Sequence, residues 1–351
     1  MIPEDKMLTD TDLTLNDISK HRRPLFGVAI IWICLLHWSD LASMPDTMYA
    51  ALSVGSVGVD IFIFLSGFGL FYSFSKDGRV LPFYAKRILR IIPSYLMALV
   101  VLTVVLLVNR SFDPVNLLLR LFLLDFWVDG DSVYWYISFI MALYLIFPLF
   151  FTCFDTVKKK TVLFVLVTVI CFSSHFIPGL ETTKYDMVYD RLPAFILGSL
   201  AAQLDLEDRD KKIFLKKKYD LMVIALLVVV FIFSVIYVEY YYQDPYNFKY
   251  YTNILLGLLL IAVNIMIFKI DRARPVIVAF SFLGDISLEL YLMHCLVMTV
   301  MYLYINPSNW VINILLFMTP SIISAYLLKQ VSVKITDKLR RKIPCYNSDH
   351  K

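Results

Sequence analysis

The chain has 351 residues, 59% hydrophobic and 18% charged, with a formal net charge of +4, and its mean hydropathy is +0.71. Soluble globular domains are about 45–50% apolar and about 25% charged, so this composition excludes a soluble globular protein and predicts a polytopic membrane protein.

Residues 1–23 are polar throughout, and no small-residue cleavage site follows the first apolar run, so the N-terminus reads as a tail ahead of a retained first span and not as a secretory signal. Crossing the hydrocarbon takes about 20 mostly apolar residues. Such runs lie at 24–43, 57–75, 91–109, 133–152, 161–178, 192–204, 220–240, 251–268, 276–304 and 310–328. The expectation is an all-α bundle of about ten transmembrane helices.

The first run contains WICLLHWSD (32–40), whose His37 lies about 20 Å along a helix that starts near Pro24. That depth is past the midplane. Ionisable groups within a span are costly and often mark a site. An imidazole there either joins helices by hydrogen bonding or does chemistry, and position alone leaves both readings open.

The second run, GSVGVDIFIFLSGFGLFYSF (55–74), contributes Asp60 and Ser66. Asp60 suits a helix N-terminus, and it equally suits orienting an imidazole. Gly67 and Gly69 permit close helix approach. The third run opens with FYAKRILRIIPSY (83–95), in which Lys86, Arg87 and Arg90 are spaced to share a helix face. They form either a membrane anchor or a polyphosphate site, and Arg22 and Arg23 fall on the same side.

DPVNLLLRLFLLDFW (113–127) is apolar but holds Arg120 and Asp125, which predicts an interfacial or re-entrant piece. Trp135 and Tyr136 open the fourth run, and Arg191 precedes the short 192–204 run. The long ninth segment holds Asp285, Glu289 and His294, a set expected to face a polar cavity. The five cysteines, at 34, 153, 171, 295 and 345, show no metal or redox spacing; no disulfide framework, metal or nucleic-acid partner is expected.

An even span count puts both termini on one side. The two tails and the four loops on that side hold 28 of the 33 Lys and Arg, and the positive-inside rule makes that side cytoplasmic. Two functional classes fit these features. One is an intramembrane enzyme with a histidine base. The other is a transporter or flippase for a glycan or small anion that uses intramembrane His, Asp and Arg, although no inverted repeat is evident.

The ordered set LFGVAIIWICLLHW, GVDIFIFLSGFGL, FYAKRILRIIPSY, WYISFIMALYLIFPLF, RLPAFILGSL and LGDISLELYLMH resembles the acyltransferase 3 family, multi-pass enzymes many of which O-acetylate cell-surface glycans. The resemblance covers roughly residues 20 to 330. It implies an acyltransferase domain at 24–330 between a polar tail (1–23) and a basic tail (331–351), in a bacterial cell membrane. It also implies an acyl-CoA donor, with acetyl expected, and a polysaccharide or lipid-linked precursor as acceptor.

By the same resemblance His37 is the base, and Lys86, Arg87 and Arg90 are the donor-binding motif; the residues themselves suggest Asp60 as the carboxylate that holds the imidazole tautomer. Ser66, Trp135, Tyr136, Arg191 and His294 are pocket candidates. The family pattern has an Arg eleven positions before the histidine. Phe26 stands there, and the role is carried to Arg23.

Overall fold

The computed structural model describes residues 12–130, 132–177, 185–207, 213–240, 248–305 and 309–342. In chain order the elements are β1 (Leu13–Thr14), α1 (Leu15–Lys20), α2 (Arg22–Ser39), α3 (Asp46–Ser53), α4 (Val57–Asp77), α5 (Val80–Val108), α6 (Pro114–Leu121), α7 (Asp125–Asp129), α8 (Trp135–Cys153) and α9 (Val157–Ser174). They continue with α10 (Asp186–Tyr189), α11 (Leu192–Glu207), β2 (Ile213–Leu215), α12 (Asp220–Tyr240), α13 (Phe248–Phe268), α14 (Arg274–Asp285), α15 (Ser287–Tyr304) and α16 (Trp310–Arg340). Among the described residues the protein is an all-α bundle with one two-stranded antiparallel ladder, β1 on β2.

Among the described residues seven helical stretches are long and apolar enough to cross a membrane: 46–77, 80–108, 135–153, 217–240, 248–268, 287–304 and 310–340. Three further expected spans form helices outside that set. α11 has only 16 residues, and α2 and α9 have 18 each and open on basic residues. The expected span at 276–304 is two helices, α14 and α15, broken at Ile286 (φ −98°, ψ 9°). The 113–127 stretch folds as α6 and α7, of eight and five residues, both far too short to span. Arg120 and Asp125, the charges that argued against a span there, lie 3.6 Å apart.

Burial runs in the sense expected for a solvent of lipid. Large apolar side chains such as Val100, Ile170, Leu221, Val229 and Leu315 face outward, while Asp60, Arg191, Glu289 and His294 are buried. With no hydrophobic drive between helices in lipid, close backbone approach holds the bundle together. The clearest case is α4 against α11. Gly67 faces the Phe195 carbonyl and Gly198 faces the Phe64 carbonyl, so a Cβ at either position would overlap a backbone oxygen. α2 packs on α14 in the same way through Gly27 and Gly284.

The N-terminal region is not wholly a loose tail. Thr14 caps α1, its N–H and hydroxyl both donating to Asp17 Oδ2 at 2.9 Å, and Lys269 Nζ reaches the same oxygen at 2.8 Å. Burial pushes the Asp17 carboxyl up, but the hydrogen bonds from Lys269 and Thr14 outweigh it and hold the group below its ordinary value of 3.8. This clasp ties the chain start to the end of α13. At the other terminus α16 runs on to Arg340, well past the apolar stretch that ends near 328.

Candidate active site

α2 runs alongside α4 with a cavity at each end of their contact. The inner cavity lies at the end where α2 and α5 begin. It is bordered by Arg22 and Phe26 of α2, Val59, Phe62 and Ser66 of α4, Arg87 and Arg90 of α5, Tyr136 and Tyr144 of α8, and Tyr291 of α15. The outer cavity is bordered by His37 and Asp40 at the far end of α2, Tyr49 of α3, Trp135 of α8, Met187 and Arg191, and Tyr250 and Asn253 of α13. Its volume is about 290 Å³ against about 60 Å³ for the inner one. Val59 is the one described residue that borders both.

The inner cavity gathers three guanidinium groups. Arg87 and Arg90 are three residues apart, so both fall on the α5 face that borders this cavity. Arg87 lies over the rings of Phe83 and Tyr144, at 5.2 and 5.8 Å. Lys86, the third member of the expected cluster, is rotated away; its ammonium pairs with Asp77 at 3.6 Å.

Arg23, to which the first-helix Arg role was carried, points out of the cavity. It is exposed and holds Asp285, with Nε 2.8 Å from Oδ1. Arg22 enters the cavity instead. It precedes Phe26 by four residues, one turn on the same face, and its guanidinium lies 5.2 Å over the Phe26 ring. Gly69 makes the room, since a Cβ there would overlap the Arg22 guanidinium carbon. Arg22 Nε is buried and has no hydrogen-bond partner among the described residues.

Ser66 and Tyr136 are brought together in the lining of this cavity, and the Tyr136 backbone N–H donates to the Tyr291 hydroxyl at 3.3 Å.

Beside the outer cavity His37 meets two groups, one from α15 and one three residues on in its own segment. Its ring lies 5.1 Å from that of His294, and its Nδ1 is 3.6 Å from Asp40 Oδ2. Tyr49 donates to the other Asp40 oxygen at 3.4 Å. His294 is fully buried. Its Nδ1 must carry a proton, because it donates to the Leu290 carbonyl at 2.9 Å; this leaves Nε2 as an acceptor.

The expected link between Asp60 and the His37 imidazole is absent. Asp60 pairs with Arg191 at 3.5 Å, and both are buried. The physical reason is competition: a desolvated guanidinium holds a carboxylate more firmly than a neutral ring does. Arg191 is pinned further between Tyr250 (4.5 Å) and Trp135 (5.6 Å) and donates to the Met187 carbonyl at 2.6 Å.

Asp285 and Glu289 turn away from both cavities. Asp285 holds Arg23, and Glu289 accepts from Ser94 at 2.8 Å with Lys329 and Ser332 at 3.4 Å, tying α15 to α5 and α16. Sequence reasoning missed Arg22, Asp40 and Tyr49 as site residues. The signal for the first two was helical spacing, four residues before Phe26 and three after His37.

A family model described as an acyltransferase domain matches residues 27–330. No curated protein and no solved structure matches the chain.

Proposed function

Since the chain belongs to the acyltransferase 3 family, whose domain covers residues 27–330, we propose that it moves an acyl group from acyl-CoA to a hydroxyl of a cell-surface polysaccharide or its lipid-linked precursor, and that acetyl is the group moved. The observation that carries this reading is the meeting of two unlike cavities at Val59, one lined by three arginines and the other holding His37. A polyanionic donor suits the first, and an acceptor hydroxyl with a base beside it suits the second.

The proposed topology has ten spans, counting α2, α9 and α11 and taking α14 with α15 as one, and cytoplasmic termini in the bacterial cell membrane. The arginine cavity then opens to cytoplasmic acyl-CoA, and its guanidinium groups fork onto the CoA phosphates. Arg22 and His37 are 15 residues apart on α2, about 22 Å along the helix. That separation suits a donor whose phosphates and thioester sit at opposite ends of a long pantetheine arm.

His37 takes the proton of the acceptor hydroxyl as the oxygen attacks the thioester carbonyl. The carbon–sulfur bond breaks, and the departing CoA sulfur takes up a proton. Asp40 orients and stabilises the imidazolium as it forms, and His294 packs behind the ring. General base assistance of this kind contributes about 10²–10⁴-fold.

Donor binding tests the reading. Acyl-CoA titrated into the purified protein is expected to bind, and Arg87→Ala is expected to weaken it by roughly tenfold or more, the loss of one charge-assisted hydrogen bond in a closed site. Acyl-CoA affinity unchanged by Arg87→Ala, or flux of a glycan across vesicles without acyl-CoA, would contradict it.

A further inference from the structure

Behind the wall of the outer cavity lies a second cluster with no part in the proposed transfer. His175 ends α9, and Asp186 and Asp190 lie four residues apart across α10, a spacing that puts both carboxylates on one side of the turn. All three side chains are buried. One ligand atom from each, an imidazole nitrogen and two carboxylate oxygens, lies within 4.8 Å of the others.

We propose that His175, Asp186 and Asp190 bind a first-row divalent metal ion, zinc by preference, and that the ion fastens α9, α10 and α13 into the rim of the outer cavity. The donor set argues for the class of ion. Carboxylates alone suit calcium or magnesium, whereas an imidazole among them shifts preference to zinc and its neighbours. Zinc bonds of about 2.0–2.2 Å at tetrahedral angles set donor atoms roughly 3.3 Å apart, and His175 Nε2 already lies 3.0 Å from Asp190 Oδ2. Cys171, one turn before His175 on α9, is buried and directs its thiol to the Tyr189 carbonyl at 3.3 Å. Water would fill the fourth position.

Two further features fit a metal site. Each carboxylate has one oxygen held by a phenol. Tyr251 donates to Asp190 Oδ1 at 2.8 Å, and Tyr189 donates to Asp186 Oδ1. Ligating carboxylates are typically oriented in this way by outer hydrogen bonds. In addition, Asp190 is completely buried, yet among the described residues it pairs with no Lys or Arg, only with His175 and Tyr251. Its neighbour Arg191 turns instead to Asp60. A buried carboxylate demands a cation or a proton. The same corner of the chain carries Met187, Arg191 and Tyr250 into the outer cavity, so an ion here would set the shape of that wall without entering it.

The inference stands apart from acyl transfer, and so does its test. The full-length protein, purified in detergent without a polyhistidine tag, is loaded with zinc chloride, dialysed and assayed for metal by mass spectrometry and for thermal stability. Wild type is expected to retain about one zinc per chain and to unfold at a higher temperature with it. His175→Ala is expected to lose both the zinc and the stabilisation. Tyr251→Phe, which changes one hydroxyl, keeps the fold and is expected to weaken zinc affinity about 10–100-fold. Absence of zinc in wild type, or equal zinc content and affinity in wild type and Tyr251→Phe, overturns the proposal and leaves His175 and Asp190 sharing a proton.

Discussion

Arg22 reaches the inner cavity because residue 69 has no side chain. The guanidinium fills the space that a Cβ at Gly69 would take, and the Phe26 ring supports it from below. Gly69→Ala therefore acts as an indirect Arg22 variant. It is expected to raise the apparent KM for acyl-CoA by roughly tenfold, as for loss of one charge-assisted bond, while kcat at saturating donor changes little. A donor titration checks this, and an unchanged KM would mean that Arg22 takes no part in donor binding. Single residues also show where sequence spacing carries information. Arg22 and Arg23 are adjacent in the chain, but a helix turns 100° between neighbours, so one enters the cavity and the other meets Asp285 at the surface. His37 and Asp60 illustrate the opposite case. Their types and depths suggested a pair, and the partner that Asp60 has, Arg191, comes from 131 positions further along the chain. No local spacing reports such a contact.

At the level of elements, the spans were readable because lipid demands long apolar helices, and each expected run became helical. The exceptions have physical causes. A hydropathy pattern does not see a break such as the one at Ile286, where the chain stays apolar while its backbone leaves the helix. It also reads α3 as part of a loop, since eight residues give too short a pattern. The clasp of Asp17, Thr14 and Lys269 was invisible for another reason: it joins residues about 250 positions apart. It gives this end of the bundle a defined pH response. Because the folded Asp17 carboxyl lies below its ordinary value of 3.8, its contribution is fully present above that value and is lost as pH falls through the depressed one. Thermal unfolding followed from pH 6 down to about pH 3 is expected to show wild type losing stability in the acid limb. Asp17→Asn should start lower, by on the order of 2 kcal/mol, and show a shallower acid limb. Parallel curves for the two proteins would assign the acid loss to other groups.

For the whole molecule, the arrangement that matters is two cavities on one pair of helices with Val59 between them. Val59→Trp is expected to block acyl transfer while acyl-CoA still binds at the arginines, and Val59→Ala to admit longer acyl groups; a competition assay with acyl-CoA esters of increasing length reads both. An unchanged chain-length profile in both variants would place the transfer route elsewhere. The residue types of this site were largely present in the sequence, as His37, Arg87, Arg90, Ser66, Tyr136, Arg191 and His294 all border a cavity or touch a residue that does. Their assembly was not, because it depends on which helices cross, and the crossings are set by glycines such as Gly67 and Gly198 whose partners lie far along the chain. The most direct test of the account is the acetyl content of surface glycan, measured by mass spectrometry in a deletion strain that carries either the wild-type chain or His37→Ala. Wild type should restore glycan acetylation, and His37→Ala, expressed and inserted at the same level, should leave it at the level of the deletion strain. Restoration by His37→Ala to the wild-type level would contradict the account.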